Sequence, residues 1–265
     1  MFRPRLVTIL VASGAKGGVG KSTIAASLAA LFDVKVAVLD LGIDGNTTVA
    51  AYHKACVDDT RGILDYLLLG LDFEIVESKV SRNVGIVPAG RVSGIRASIL
   101  SIPNKSLVKT RYEKALLRLR REGYEIVLID TPSNVELLST TYVTILYYSD
   151  IICLVTEPTL SAIETLHKWW SNFSKVLSKG SQILNIVVNK YIEKLHNNVN
   201  SLRKYVQDGI LSKIPFDAAV LVLSTNAELP IMYTEPAKFN KALTSLFKII
   251  EEQTMKYIGV QQLRL

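Results

Sequence analysis

The sequence predicts an α/β fold: a doubly wound, mainly parallel sheet flanked by helices. Two observations carry this expectation. Short runs rich in Val, Ile and Leu alternate with amphipathic stretches of helical period, and the first apolar run ends in a glycine-rich loop that opens into a helical pattern. Alternating strands and helices require right-handed crossovers, which cover both faces of a parallel sheet and make its strands apolar throughout.

In chain order, the expected strands are Leu6 to Ala12, Lys35 to Leu39, Val84 to Val87, Glu125 to Ile129, Ile151 to Val155 and Ile183 to Val188. Each is a β-branched run too short for a helix. The intervening helical patterns are "STIAASLAALF", "SLVKTRYEKALLRLRRE", "VELLSTTYVTILYY", "AIETLHKWWSNFSKVL" and "NNVNSLRKYVQD". No repeat, low-complexity tract or linker interrupts them, so residues 1–265 are expected to form one domain. Arg3 and Arg5 precede an apolar run as in a signal peptide, but the run ends in glycines rather than a cleavage site, which marks it as a first strand. No run approaches the roughly 20 apolar residues of a membrane span. Cys56 and Cys153 form no CxxC pair and are expected to be ordinary thiols in a reducing cytosol. A net charge of +7 suits a polyanionic partner, nucleic acid or an acidic membrane surface.

Ligands of doubly wound sheets sit beyond the carboxyl ends of the strands, so the chemistry is sought there. The first strand ends in "SGAKGGVGKST", residues 13–23. Gly17, Gly18 and Gly20, with Val19 between them, let successive N–H groups turn inward as an anion nest ahead of a helix N-terminus. Lys21 then reaches terminal phosphates and the Ser22 hydroxyl ligates Mg²⁺, with Thr23 completing the loop. A flexible turn would explain the glycines but not the Lys-Ser that follows. Lys16 is a second lysine on the same tight loop, and two like charges serving the same phosphates would repel.

The run "KGGVGKST", with Ala15 where the usual leading glycine stands, resembles the deviant Walker A motif of the ParA/MinD family, the SIMIBI class of P-loop ATPases. The resemblance implies ATP and Mg²⁺ as cofactors, and a nucleotide sandwich homodimer in which Lys16 reaches the partner's nucleotide. It extends along most of the chain. "YEIVLIDTPSN" looks like the family's Walker B strand, with Asp130 at the metal; "VVNK" places Asn189 as the adenine contact; "KIPFD" brings Pro215 into the base pocket. Ile192 stands where a guanine-reading NKxD motif needs aspartate, so ATP is favoured over GTP. Residues 47–83 match no family segment.

The family pattern "DLDPQGN" after the second strand corresponds here to "DLGIDGN", residues 40–46. Asp40 keeps the metal-site position, whereas Gly42 replaces the carboxylate that positions the attacking water. Three readings stay open. Asp44 swings inward and orients the water; the site binds Mg-ATP but turns over very slowly; or Asp44 simply forms the turn with Gly45 and Asn46.

Two basic regions could face DNA. One includes Lys105, Lys109, Arg111, Lys114, Arg118, Arg120 and Arg121; the other, preferred because ParA-like proteins bind DNA after the adenine asparagine, includes Lys190, Lys194, Arg203, Lys204 and Lys213. Such side chains give salt-sensitive, sequence-independent binding of double-stranded DNA. The phosphate loop begins at residue 13, which leaves no room for a helix-turn-helix extension, so a ParB-type partner is expected to supply sequence specificity. The expected function is therefore ParA-type partition or positioning of DNA by a cytoplasmic, nucleoid-associated ATPase. A MinD-like membrane ATPase is the nearest alternative, but "LFKIIEEQTMKYIGVQQLRL" has few cations for an interfacial anchor and is expected to pack on the body. An ATP-gated scaffold rests on Gly42. A nucleotide-gated reductase needs cysteines that this chain does not place suitably, and a ligase-like enzyme would not need Lys16.

Overall fold

The computed structural model describes residues 6–13, 17–42, 48–91, 105–132, 139–173, 182–195, 197–205 and 210–262. Their centre is an eight-stranded sheet in the order β3-β4-β2-β5-β1-β6-β7-β8. The strands are β1 (Val7–Ala12), β2 (Val36–Asp40), β3 (Val76–Glu77), β4 (Val84–Val87), β5 (Ile126–Asp130), β6 (Ile151–Thr156), β7 (Ile183–Tyr191) and β8 (Leu211–Pro215). All pairs are parallel except β3 with β4, a two-residue antiparallel edge. The helices are α1 (Lys21–Leu31), α2 (Thr48–Tyr52), α3 (Lys105–Arg121), α4 (Ser139–Tyr148), α5 (Leu160–Phe173), α6 (Ala218–Thr225) and α7 (Ala237–Gln262), with a π-helical turn at Asp65–Leu69 and 3₁₀ segments at Asn197–Tyr205 and Pro230–Met232.

The central strands are buried residue by residue, as continuous apolar runs in a two-faced sheet must be. One face packs α1 and α7, through Ile24, Leu28, Phe239, Leu243 and Ile250; the other packs α3, α4 and α5, through Tyr112, Tyr142, Leu166 and Trp169. α7 buries Gln253 and Thr254 as well, and Gln253 exchanges two amide hydrogen bonds with Asn185 of β7, at 2.8 and 3.1 Å. The C-terminal helix is therefore docked on the body at least as far as Thr254. Among the described residues, no helix is long and apolar enough to cross a membrane.

Several expectations shift. β2 and β5 begin one residue later than predicted and close on Asp40 and Asp130, so both carboxylates belong to the strands themselves. β8 was not expected as a strand, because an edge strand that is mostly half-buried lacks an apolar run. The pattern at 197–205 forms a 3₁₀ segment rather than an α-helix, held by the buried Val199 and Leu202.

Candidate functional site

The site lies at the carboxyl ends of β1, β2, β5 and β7. Gly18 and Gly20 both take positive φ, 75° and 92°, a region that side-chain-bearing residues rarely adopt. Gly20 has a second constraint: a Cβ there would overlap the Asn189 side-chain amide. Asn189, at the end of β7, donates that amide to the Val19 carbonyl at 2.8 Å, so the loop and the expected base-contacting residue are built as one piece. Gly20→Ala should therefore force a left-handed alanine, costing about 1–2 kcal/mol, and push Asn189 away. Nucleotide affinity is expected to fall about tenfold or more, measured by calorimetric titration; unchanged affinity would show that loop and asparagine are not coupled.

α1 starts at Lys21, directly after the loop, and no side chain caps it, so its first amides are left for a ligand at the loop. Lys21 is buried; desolvation lowers its pKa, opposed by the nearby Asp130 carboxylate. Thr23 shares a 2.9 Å hydrogen bond with the Tyr52 hydroxyl of α2. Tyr52 lies within the segment that carried no motif, so nothing in the sequence marked it.

Asp40 and Asp130 are register partners on neighbouring parallel strands. Asp40 is fully buried and accepts from the Gly42 amide at 3.2 Å, and from those of Val49 and Ala50 at 3.2 and 3.4 Å. Burial pushes its pKa up to about 6 despite these bonds. Asp130 is raised to about 7, first by burial and then by the Asp40 charge, while the Ser22 hydroxyl and the Lys21 ammonium pull the other way. Two carboxylates so close, out of water, hold a proton or a cation to relieve their repulsion.

The residues present fit Mg²⁺ on one direct observation: Asp130 Oδ1 is buried and has no hydrogen-bond partner. An oxygen left this way in a native site calls for an ion or ordered water. Ser22, Asp40 and Asp130 form a hard oxygen donor set of the kind that holds Mg²⁺ through few protein ligands and several waters.

Beside the loop, an open cleft is lined by Gly18, Gly20, Thr23, Asn189, Pro215 and Phe216, with Val220 and Leu221 of α6 opposite. Asp217 borders it, but its carboxylate caps α6 through the Ala219 amide at 3.1 Å and accepts from the Phe239 amide at 3.5 Å. An Asp just before an apolar helical run is a readable N-cap, and that signal could have located α6.

Lys190 differs from expectation. Its ammonium donates to the Gly18 carbonyl and pairs with Glu157 Oε1, each at 2.8 Å, so it buttresses the phosphate loop instead of standing free for DNA. Lys213 is half-buried, with its ammonium 4.5 Å from the Tyr191 ring centre. Lys194 and Arg203 are exposed. Lys16 and Asp44, and the side chain of Lys204, lie outside the described residues.

A glycine nest at a helix start, continued by Lys-Ser-Thr and faced by two strand-end carboxylates, is the architecture of the phosphate-loop nucleotide-binding proteins. Comparison with known proteins narrows the class. A family model described as an AAA domain matches residues 7–186, more than half of the chain, and the chain belongs to that family and to the ParA/MinD branch of P-loop ATPases. The septum site-determining protein MinD of Neisseria meningitidis serogroup B is 22% identical over 275 residues, covering 97% of this chain and 96% of that protein. MinD of Pyrococcus horikoshii, solved with Mg-ADP, superposes with a TM-score of 0.67 at 20% identity, over 96% of this chain and 98% of the other. A ParA family ATPase from Chlorobium tepidum gives 0.66 at 18% identity, over 92% and 98%.

Proposed function

We propose that this chain is a ParA-type ATPase: it binds Mg-ATP, closes into a nucleotide sandwich homodimer, and in that state coats double-stranded DNA without sequence preference to partition or position it. The observation that carries the surface part of this reading is the docking of α7, whose Gln253 is locked to Asn185. The helix is docked on the body through Thr254, and Lys194 and Arg203 stand exposed on a basic surface that would hold a polyanion.

Within the site, the loop amides and Lys21 would bind the phosphates, Ser22, Asp40 and Asp130 would hold Mg²⁺, and Asn189 and Pro215 would border the base. Bound Mg²⁺ would neutralise charge on the phosphate oxygens. Lys16 would reach the partner's nucleotide. Adenine is favoured because Ile192 offers no carboxylate for guanine and Asp217 already caps a helix. A ParB-type protein would supply sequence specificity and stimulate hydrolysis, and the protein would sit on the nucleoid in the cytoplasm. The test is ATP turnover, light scattering and DNA retention with Mg-ATP at low and moderate salt. Failure to dimerise, or retention indifferent to salt, would reject the reading.

One observation favours a second reading: several curated relatives, the Neisseria protein described above among them, are named MinD. A membrane-positioning ATPase would co-sediment with anionic liposomes in ATP and lose this on removal of residues 255–265, while showing no salt-sensitive DNA retention. For hydrolysis, Asp44→Ala is the discriminating variant. A large drop in turnover is expected if Asp44 orients the water in place of the carboxylate missing at Gly42; equal rates would reject that role and leave a slow, ATP-gated scaffold.

A further inference from the structure

A second concavity lies away from the strand ends, between α3 and α4. It measures about 360 Å³ and is lined by Lys105, Ser106 and Lys109 from α3 and by Val143, Thr144, Tyr147 and Tyr148 from α4, the Thr144 hydroxyl being turned back onto the Thr140 carbonyl at 2.9 Å. Its volume is in the range of pockets that take a ligand or a bulky side chain. Val143 and the Tyr147 and Tyr148 rings give it an apolar wall, and the two rings meet edge to face at 5.3 Å. Tyr147 is 48% exposed, unusual for a large aromatic side chain on a helix packed against a sheet.

The charges of α3 fall into two groups. Arg111 is spent on the Leu67 and Leu68 carbonyls, and Arg118 on Asp72, Glu122 and the Phe73 carbonyl, so both are fastened to neighbouring segments. Lys105 and Lys109 are exposed at the groove, and neither has an ion-pair partner among the described residues. Glu113, one turn further along, has Oε1 accepting from the Tyr148 hydroxyl at 2.5 Å, which ties that carboxylate to the groove wall. An apolar slot edged by two lysines results.

We propose that this groove docks an acidic peptide segment of a partner protein, with a Leu or Phe side chain seated against Val143 and Tyr147 and carboxylates paired with Lys105 and Lys109. Charge complementarity selects this occupant. A second copy of a chain carrying net +7 would meet the lysines with excess positive charge. A DNA duplex would satisfy the lysines but has no projecting apolar group to fill the slot, and a flat lipid surface cannot enter a concavity. An anchor in a pocket with charged groups at its rim is the usual anatomy of a peptide hot spot. The proposal is independent of the nucleotide site and of the DNA reading.

Fluorescence anisotropy of the full chain tests it, with a short labelled peptide of Glu residues interspersed with Leu and Phe. Two control peptides replace every Glu by Lys, or every Leu and Phe by Ser. The acidic apolar peptide should bind, weaken with added salt, and lose about tenfold in affinity with Tyr147→Ala and more with the Lys105→Glu and Lys109→Glu pair, while ATP binding stays intact. Lys105, Lys109 and Tyr147 are exposed and Val143 is half-buried, and the charge-reversal pair tests the idea even if Tyr147→Ala misfolds. Equal binding of the acidic and basic peptides, or an unchanged affinity in the charge-reversed protein, would overturn the proposal. So would a charge reversal that leaves peptide binding alone but abolishes retention on duplex DNA or anionic vesicles.

Discussion

Alanine in place of Lys21 is expected to lower ATP turnover about a hundredfold or more, the range seen when one fixed electrostatic contact to developing charge is removed. The argument rests on burial. Lys21 has little access to water, and desolvation already depresses its pKa, so its charge is held in a low-dielectric pocket where it acts strongly on any phosphate placed there. Its field also opposes the raised pKa of Asp130, so the variant should lose nucleotide affinity together with turnover. Titration calorimetry and steady-state hydrolysis measure the two effects. A variant that retained both would show that the glycine loop binds something other than phosphate.

Asparagine in place of Asp130 is expected to separate stability from activity. The folded protein holds Asp130 at about 7 against an ordinary carboxylate value of 3.8, so between those values the unfolded chain has released a proton that the folded chain retains. Stability tied to this group is thus present below pH 3.8 and is lost as the pH rises through about 7. The substituted amide carries no charge and loses nothing over that window. The nucleotide-free Asp130→Asn variant should therefore melt higher than the parent near pH 8, by about 2 °C or more for each kcal/mol relieved, with the gap closing toward pH 4. ATP hydrolysis should fall to background if Asp130 is, as proposed, a donor for Mg²⁺. Melting curves across that pH range, without nucleotide or divalent ions, measure the first effect; identical curves would mean that the carboxylate pair is not strained by burial.

The strands that carry chemistry were legible because burial on both faces leaves an unbroken apolar run, as in "VTILVA" and "IVLID". The phosphate loop was legible for a different reason: its backbone geometry demands glycine, and glycines at that spacing are visible without any structure. What escaped notice depends on contacts between distant segments. Tyr52 matters here through the Thr23 hydroxyl, and Glu157 meets Lys190 from a separate strand end. A lysine one residue after the asparagine expected to contact the base reads as a surface cation until a carboxylate and a loop carbonyl are brought to it. α6 was hidden because its Leu221 and Val222 are exposed, so an apolar helix without a polar face offers no periodic signal.

The position of β5 sets the earliest point, during synthesis, at which the carboxylate end of this site can come into being. β1 and β2 are consecutive strands and α1 joins them, yet they do not pair with each other; β5 lies between them and hydrogen-bonds to one edge of each. A nascent chain that has released only its phosphate loop and Asp40 therefore has an unfilled slot at the middle of its sheet and half of its carboxylate pair. Insertion of Ile126–Asp130 closes the slot and brings Asp130 beside Asp40 in one event. Nucleotide competence is in this sense gated by translation: the ribosome must pass the midpoint of the sheet before the first residues that it made can work.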